Sequence, residues 1–206
     1  MKDLFWDSCV LIRYFLNDPS APYFKDIRRY VNEAKNGRQP KWRIHFSTLT
    51  FAEIKHEHFK GEHGSIHDFI DDLGAAFSPI DPNPNILIGA GALRSSAITY
   101  PRGHEESSRV VSTPDAIILM SAVYLQAHLG VKDLTVHTLD EGKGKNWSGK
   151  CIPLIGFEKY YPPESRTETV QQVCALNKSF PSHPQPDLLD MIEETAIDPI
   201  VATSAE

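Results

Sequence analysis

The sequence predicts an α/β protein, a three-layer α/β/α sandwich around a mostly parallel central sheet. Short apolar segments with strand character alternate along the chain with longer segments whose apolar residues recur at helical spacing. This alternation is typical of a parallel sheet covered by helices on both faces. At 206 residues, with 41% hydrophobic content, the chain is long enough to build one substantial core.

The first part of the chain alternates as strand, helices, strand and helix. The segment DLFWD predicts the first strand, and two helical patterns follow it, the first ending at Pro19 and the second at Gly37. WRIHFST, residues 42–48, predicts the second strand. The pattern LTFAEIKHEHFK, residues 49–60, predicts the next helix.

The middle of the chain contains further helical patterns, at residues 65–77 and 83–98. Between them, SPIDP is at most a short strand or a turn, and residues 99–112 form a polar loop. The best-marked helix follows over residues 113–130, with Thr113 as the N-cap, Pro114 at the first helical position and Gly130 at the C-terminal stop. LTVHTLD and then KCIPLIGF predict the last two strands.

A change in composition predicts a domain boundary near residue 157. Residues 1–157 form the predicted domain, and residues 158–206 form a Pro-rich, acidic and partly irregular C-terminal extension with a short helix over 187–196. Residues 157–206 hold nine acids and three Lys or Arg, which accounts for the whole net charge of −6. The rest of the chain is neutral, so the overall acidity does not exclude a nucleic-acid partner.

The cysteine content and the lengths of the apolar segments indicate the cellular compartment of the protein. Three cysteines, far apart and without a C-x-x-C pair, argue against a disulfide framework or a cysteine zinc site, and favour a reducing cytoplasm. No run approaches the roughly 18 apolar residues that a membrane span requires. We therefore expect a cytoplasmic protein without a membrane partner.

Four acids occupy comparable places in the predicted layout. Asp7 ends the first strand, Glu53 lies shortly after the second, Asp115 lies in the first turn of the best-marked helix, and Asp140 ends the strand LTVHTLD. The ends of parallel strands and the starts of the helices that follow share one edge of a sheet, where open α/β sheets bind their ligands. We therefore expect the four carboxylates to converge.

Convergent carboxylates repel one another unless some are protonated or a cation neutralises them. Mg²⁺ and Mn²⁺ prefer oxygen ligands and suit carboxylate sets that leave positions open for water. Phosphodiester hydrolysis uses this chemistry, since a bound metal activates water and stabilises the developing charge. The acids therefore predict an Mg²⁺ or Mn²⁺ site.

The chain resembles the PIN domains, and within them the VapC-type toxin nucleases of bacterial toxin–antitoxin pairs. Four motifs match in order over about residues 2–156, namely FWDSCVLI, STLTFAEI, TPDAIILMSA and VHTLD. The resemblance implies metal-dependent cleavage of single-stranded RNA that leaves a 5′-phosphate and a 3′-hydroxyl. It implies that the metal-binding and catalytic acids are Asp7, Glu53, Asp115 and Asp140, with Ser8 and Thr138 as supporting polar residues. An antitoxin protein and a second copy of the chain are the further candidate partners.

Three of the four acids also have a structural interpretation. Asp7 could cap the helix that follows it, or pair with a nearby cation while Ser8 caps that helix. Asp115 would favour its helix dipole, and Asp140 could begin the turn DEGKG. Glu53 would face Glu57 as a like-charge helical pair, which makes a solvated surface less favourable for it and a metal more plausible.

Other polar residues of the chain leave two alternatives open. Arg102, His104 and Arg109 either meet RNA phosphates or belong to a solvated loop. The histidines of HEHFKGEHGSIH fit no standard zinc spacing.

Two other functions stay open on the sequence. One is a PIN-like scaffold that binds RNA or protein without cutting it, against which the complete acid set argues. The other is a phosphatase of the haloacid dehalogenase type, which also begins with an Asp after the first strand. That chemistry needs a second acid two residues later, where this chain has Cys9.

Overall fold

A computed structural model describes residues 1–35, 40–99, 109–142 and 150–184. Its centre is a five-stranded parallel sheet with the strand order β3-β2-β1-β4-β5. The strands are β1 Lys2–Trp6, β2 Trp42–Ser47, β3 Phe77–Ile80, β4 Thr135–His137 and β5 Asn177–Ser179. The chain builds outward from β1 to β2 and β3, and later returns to the other side of β1. The topology therefore reverses at β1, which is where open sheets form a ligand crevice.

Helices cover both faces of this sheet and confirm the predicted three-layer α/β/α architecture. The described α-helices are α1 Ser8–Leu16, α2 Phe24–Lys35, α3 Thr50–Glu53, α4 Ile66–Leu73, α5 Pro84–Arg94, α6 Thr113–Ala127 and α7 Glu168–Ala175. Short 3-10 helices lie at His56–His58, Gly74–Ala76, Phe157–Tyr160 and Pro163–Ser165.

The alternation of β1 side chains divides the core into two clusters. Leu4 and Trp6 point to one face, where they join buried residues of α1 and α2. Phe5 points to the other face and joins buried residues of α5, α6 and α7. Because successive strand residues face opposite sides, a strand buried on both faces must be apolar throughout, as β1 is from Leu4 to Trp6.

Three local predictions are wrong. The helix predicted over residues 49–60 ends at Glu53, where Ile54 turns to an extended conformation, so Glu53 and Glu57 are not successive residues of one helical face. The strand predicted over 150–157 does not form, and its only β-bridge pairs Cys151 with Val110 within the described residues. The N-cap of α6 is Ser112, not Thr113, because the Ser112 hydroxyl accepts a hydrogen bond from the Asp115 amide.

The fifth strand comes instead from the C-terminal extension. Residues 168–179 form α7 and β5, and β5 pairs with β4 in parallel. Val170 and Val173 of α7 are completely buried, and Leu176 is nearly so. The domain boundary at residue 157 stays a prediction, but the described part of the extension packs on the domain and completes its sheet.

Residues 180–184 form a C-terminal strap that continues from β5 along α2. The ring of Phe180 stacks on Tyr23, just before α2, with ring centroids 5.2 Å apart. The Tyr30 hydroxyl donates a hydrogen bond to the Ser182 carbonyl oxygen at 2.9 Å. The His183 imidazole contacts a carboxylate oxygen of Glu33, near the end of α2, at 3.1 Å. The strap thus follows α2 over most of its length.

Some predictions fall on parts of the chain outside the described residues. These are the stop at Gly37, most of the loop at 99–112, and the short helix at 187–196. Among the described residues, no helix combines the length and the apolar character needed to cross a membrane.

Candidate functional site

Asp7 lies at the carboxyl end of the central strand, where its side chain is 4% exposed. Its Oδ2 atom accepts hydrogen bonds from the Thr138 hydroxyl at 2.7 Å and from the Cys9 thiol at 2.9 Å. Its Oδ1 atom accepts one from the Ser8 hydroxyl at 3.2 Å. Three donors from two neighbouring strand ends therefore fix the orientation of this carboxylate and compensate in part for its burial.

Glu53 reaches the same place from the last residue of α3. Ser8 lies between the two acids, and its hydroxyl is within hydrogen-bonding reach of the Glu53 carboxylate as well as of Asp7. The Oε2 atom of Glu53 is buried and has no hydrogen-bond partner among the described residues. A buried carboxylate oxygen without a partner is unfavourable unless a ligand satisfies it.

Asp115 lies at the third position of α6, in the first turn, which Ser112 caps. Its backbone amide donates to the Ser112 hydroxyl oxygen at 3.1 Å, and that hydroxyl in turn donates to the Asp115 carboxylate. This reciprocal pair holds Asp115 at the helix start, as the structural interpretation expects. At this position its carboxylate is close enough to Asp7, Glu53 and Asp140 for their charges to act on it.

Asp140 follows β4 by three residues and is joined to Asp7 through Thr138. The buried Thr138 hydroxyl donates to Asp7 and accepts the Asp140 amide at 3.0 Å. The Asp140 carboxylate accepts the amides of Gly142 at 3.1 Å and Leu154 at 3.2 Å. Asp140 therefore begins a turn, as its structural interpretation states, and also ties the segment around Leu154 to the end of β4.

The electrostatics of the cluster show that the acids act on one another. Burial raises the pKa of Asp115, the Ser112 hydrogen bond opposes this rise, and the charges of Asp7, Asp140 and Glu53 add to it, so that the resulting pKa is about 6. Burial also raises the pKa of Glu53 and that of Asp140, and Asp7 contributes in the same direction to both. The structure thus brings the four predicted acids into one region of mutual repulsion.

Hard oxygen donors that repel one another fit a divalent cation such as Mg²⁺ or Mn²⁺. Within the described ranges, however, no three His, Cys, Asp or Glu side chains are placed so that they could hold a metal ion as they stand. Mg²⁺ commonly uses only one or two protein carboxylates and keeps several of its waters. The residues therefore fit a hydrated cation better than a closed metal cage.

Of the three predicted RNA-binding residues, Arg109 alone belongs to the described part of the chain, where it is buried. Arg109 is 7% exposed. Its guanidinium donates a hydrogen bond to the Tyr160 hydroxyl and lies over the Tyr160 ring, 5.5 Å from the ring centroid. This placement is that of a packed side chain and not of an exposed phosphate contact. Arg102 and His104 lie outside the described residues.

Three residues near the acids, Cys9, Cys151 and Ser112, were missed as members of the site. The Cys9 thiol donates a hydrogen bond to Asp7, and its sulfur accepts one from the Leu139 amide at 3.1 Å. Burial raises the pKa of Cys151, and the charges of Asp115 and Asp140 contribute in the same direction. The spacing of Ser112 and Asp115 is a capping pattern that could have identified Ser112 as well. No comparable local pattern indicates Cys151, whose neighbours come from other segments.

Comparisons with known proteins add a distant likeness. No protein-family model matches the chain. No curated protein matches it either. One solved structure with a similar arrangement is the crystal structure of VapBC2 from Rickettsia felis bound to a DNA fragment from their promoter. It has 16% sequence identity and a TM-score of 0.37, and the match covers 66% of this chain and 86% of that chain. A likeness this weak carries no argument about activity.

Proposed function

We propose that the protein is an Mg²⁺- or Mn²⁺-dependent endoribonuclease that hydrolyses phosphodiester bonds in single-stranded RNA. The observation that supports this proposal best is the convergence of Asp7, Glu53, Asp115 and Asp140 from four separate segments at the carboxyl edge of a parallel sheet. The raised pKa values of Glu53, Asp115 and Asp140 and the unpartnered Glu53 oxygen favour a cation as the missing counter-charge.

Of the four acids, one or two would bind the cation directly and the others through its waters, and the bound cation supplies Lewis acidity and positive charge for the reacting phosphate. The chain's own residues prepare this region. Thr138 and Ser8 hold the Asp7 carboxylate in one orientation, so that no rotamer freedom is lost when ligands bind. Asp140 is held by two backbone amides, and Asp115 by Ser112. Preorganised groups of this kind act without reorganisation during the reaction.

The direct test incubates purified protein with labelled RNA, and with DNA of the same sequence, in Mg²⁺, Mn²⁺ or EDTA. We expect metal-dependent cleavage of RNA that leaves 5′-phosphate and 3′-hydroxyl ends. Asp7→Asn should abolish it, whereas Asp68→Asn, an exposed acid of α4, should not. Cleavage that persists in EDTA would contradict the metal dependence.

The same assay separates the second candidate function, a scaffold that binds RNA without cutting it. RNA binding without cleavage in either metal would favour the scaffold. A toxin role is a further proposal, and an adjacent small reading frame for a DNA-binding antitoxin would support it. Growth arrest on expression, relieved by that neighbour and absent with Asp7→Asn, is the corresponding cellular measurement.

A further inference from the structure

The segment that follows Glu53 runs alongside α1, away from the acids. It begins near Ser8, the first residue of α1, which lies beside Glu53. It ends where the Lys60 amide donates to the Phe15 carbonyl oxygen at 3.0 Å, and where the Phe59 ring packs on Phe15 with centroids 4.7 Å apart. Seven helical residues rise roughly 10 Å, so this segment extends about that far from the acids.

Four side chains of this segment can donate hydrogen bonds to phosphate, and we call Lys55, His56, His58 and Lys60 the basic ridge. Lys55 has 70% of its side chain exposed, and His56 and Lys60 are also exposed. The half-buried His58 accepts the Lys55 amide at its Nδ1 atom, at 3.1 Å. A neutral imidazole that accepts at Nδ1 carries its proton on Nε2, which leaves that nitrogen as a donor.

The acids next to the basic ridge include Glu57, Asp18 and Glu62, and all three are exposed. Glu57 lies 3.7 Å from the Lys55 ammonium, with 73% of its side chain exposed. Asp18 lies within electrostatic reach of Arg13 and Lys60. Exposed ion pairs of this kind contribute little stability, so a polyanion can displace them.

The surface of the basic ridge favours a charged partner over an apolar one. Within the described residues, the exposed large hydrophobic side chains all lie elsewhere, at Met1, Ile70, Leu87, Ile88, Val110 and Leu129. Successive phosphates of one strand are about 3.4 Å apart along the axis of a stacked duplex and farther apart in an extended strand, so a segment of about 10 Å can span about two phosphates. The acids themselves repel phosphate, and Arg109 is buried, so cations on the segment that begins beside Glu53 would favour binding of the substrate's neighbouring phosphates.

We propose that a single-stranded nucleic acid bound at the acids continues along the basic ridge, where Lys55 and Lys60 contact two of its backbone phosphates. This inference rests on the proposed nuclease function and names the surface that would position its substrate. Contacts to phosphate alone carry no base sequence, so the basic ridge sets the path of the strand and not its specificity.

The test compares two double variants that each remove two lysines. Lys55→Gln with Lys60→Gln removes the basic ridge lysines, and Lys25→Gln with Lys132→Gln removes two exposed lysines of other surfaces. Binding of a fluorescein-labelled ten-nucleotide uridine RNA is measured by anisotropy in EDTA, from low to moderate salt. Each single-strand phosphate contact contributes a slope of about 0.7, so the basic ridge variant should reduce the salt slope by about 1.4 more than the control does.

Steady-state cleavage provides the second readout. The basic ridge variant should raise KM severalfold and leave kcat unchanged, because Lys55 and Lys60 bind phosphates remote from the scissile bond. Glu57→Gln should do the opposite and tighten RNA binding, since it removes the acid paired with Lys55. A gain in affinity cannot result from damage to the fold, and melting curves verify that all variants are folded.

The outcomes separate this inference from the proposed function. Wild-type cleavage with the same KM and salt slope in both double variants would overturn the basic ridge alone. RNA binding that depends on Lys55 and Lys60, without cleavage in any metal, would overturn the nuclease and support the basic ridge. Absence of RNA binding by the wild-type protein would overturn both.

Discussion

Asp115 and Asp68 occupy the same position in two different helices. Each is the third residue of its helix, and each donates its amide to the hydroxyl of a serine N-cap, Ser112 in α6 and Ser65 in α4. Asp68 is exposed, whereas Asp115 is part-buried and faces three other acids. The pair therefore separates what an aspartate contributes to a helix start from what it contributes to the acid cluster.

Asp115→Asn should stabilise the metal-free protein at neutral pH. The native pKa of Asp115, about 6, lies above the unfolded value of 3.8. The contribution of Asp115 to the free energy of unfolding is therefore fully present below pH 3.8 and is lost as the pH rises through 6. At pH 7 the ionised carboxylate destabilises the fold, by on the order of 2 kcal/mol after allowance for solvent screening. Melting in EDTA at pH 7 measures the gain, and RNA cleavage should be lost.

Asp68→Asn is the matched control for this substitution. It should lower stability by only the helix-dipole contribution, about 0.3–1 kcal/mol, and leave cleavage unchanged. An Asp115→Asn protein that cleaves RNA at the wild-type rate would show that Asp115 serves the helix alone.

His137 should make the fold sensitive to acid. Its imidazole is buried, and burial lowers its pKa to about 4, with a smaller contribution from His183. The pKa of histidine in the unfolded chain is about 6.5. The contribution of the neutral His137 to the free energy of unfolding is therefore fully present above pH 6.5 and is lost as the pH falls toward 4. The loss is on the order of 3 kcal/mol.

Chemical denaturation of the wild type and of His137→Leu between pH 4 and 7 checks this expectation. The difference in unfolding free energy between the two proteins isolates His137, because Asp115 titrates in both and in the opposite direction. A difference that does not change with pH would contradict it.

At the scale of elements, what could be predicted depends on how much of the signal is local. The start of α6 was predictable to within one residue, because serine, threonine and proline mark it and apolar residues fill it. Strand β5 was not, since Asn177–Ser179 has neither length nor apolar alternation and forms only by pairing with β4. The acids could be predicted from their positions after strands or at a helix start, whereas Cys151 lies near them only through tertiary contacts.

Helix α7 and strand β5 should be required for folding, although both lie in the predicted extension. Ending the chain at residue 164 removes Val170, Val173 and Leu176 from the core and exposes the edge of β4. At about 1.5–3 kcal/mol for each buried side chain, the loss is roughly 4–9 kcal/mol, comparable with the whole stability of a domain.

A chain that ends at residue 184 keeps these elements and the strap, and is the matched comparison. We expect it to melt as a folded protein, and the 1–164 chain to be largely unfolded or insoluble. A cooperative melt of the shorter chain close to that of the longer one would contradict the structural role of α7 and β5.

At the scale of the whole molecule, the negative charge is concentrated at one end of the sequence. The last 22 residues hold six acids and no Lys or Arg, so removing residues 185–206 changes the formal charge from −6 to zero. The segment starts after His183, whose ring lies near Trp42, the first residue of β2. Parallel strands begin at the edge opposite to the acids, so this charge is attached far from them.

Divalent metal should stabilise the whole fold, because binding relieves carboxylate repulsion only in the native state. A hundredfold excess over the dissociation constant corresponds to about 2.7 kcal/mol. Thermal melts in Mn²⁺ and Mg²⁺ measure the effect, which should be smaller at pH 5, where protons already neutralise Asp115. An unchanged melting temperature in millimolar Mn²⁺ at pH 7.5 would count against the site.

The strap has a consequence for how the protein is made. His183 meets Glu33 across 150 residues, and β5 reaches β4 only after residue 179 has been synthesised. At about 5–20 residues per second, the ribosome needs roughly 2–9 s to proceed from Asp140 to Pro184. During that interval every acid of the candidate site already exists in a nascent chain whose β4 is still an open edge. Synthesis of β5 and the strap, rather than synthesis of the acids, is then the event that allows the molecule to close.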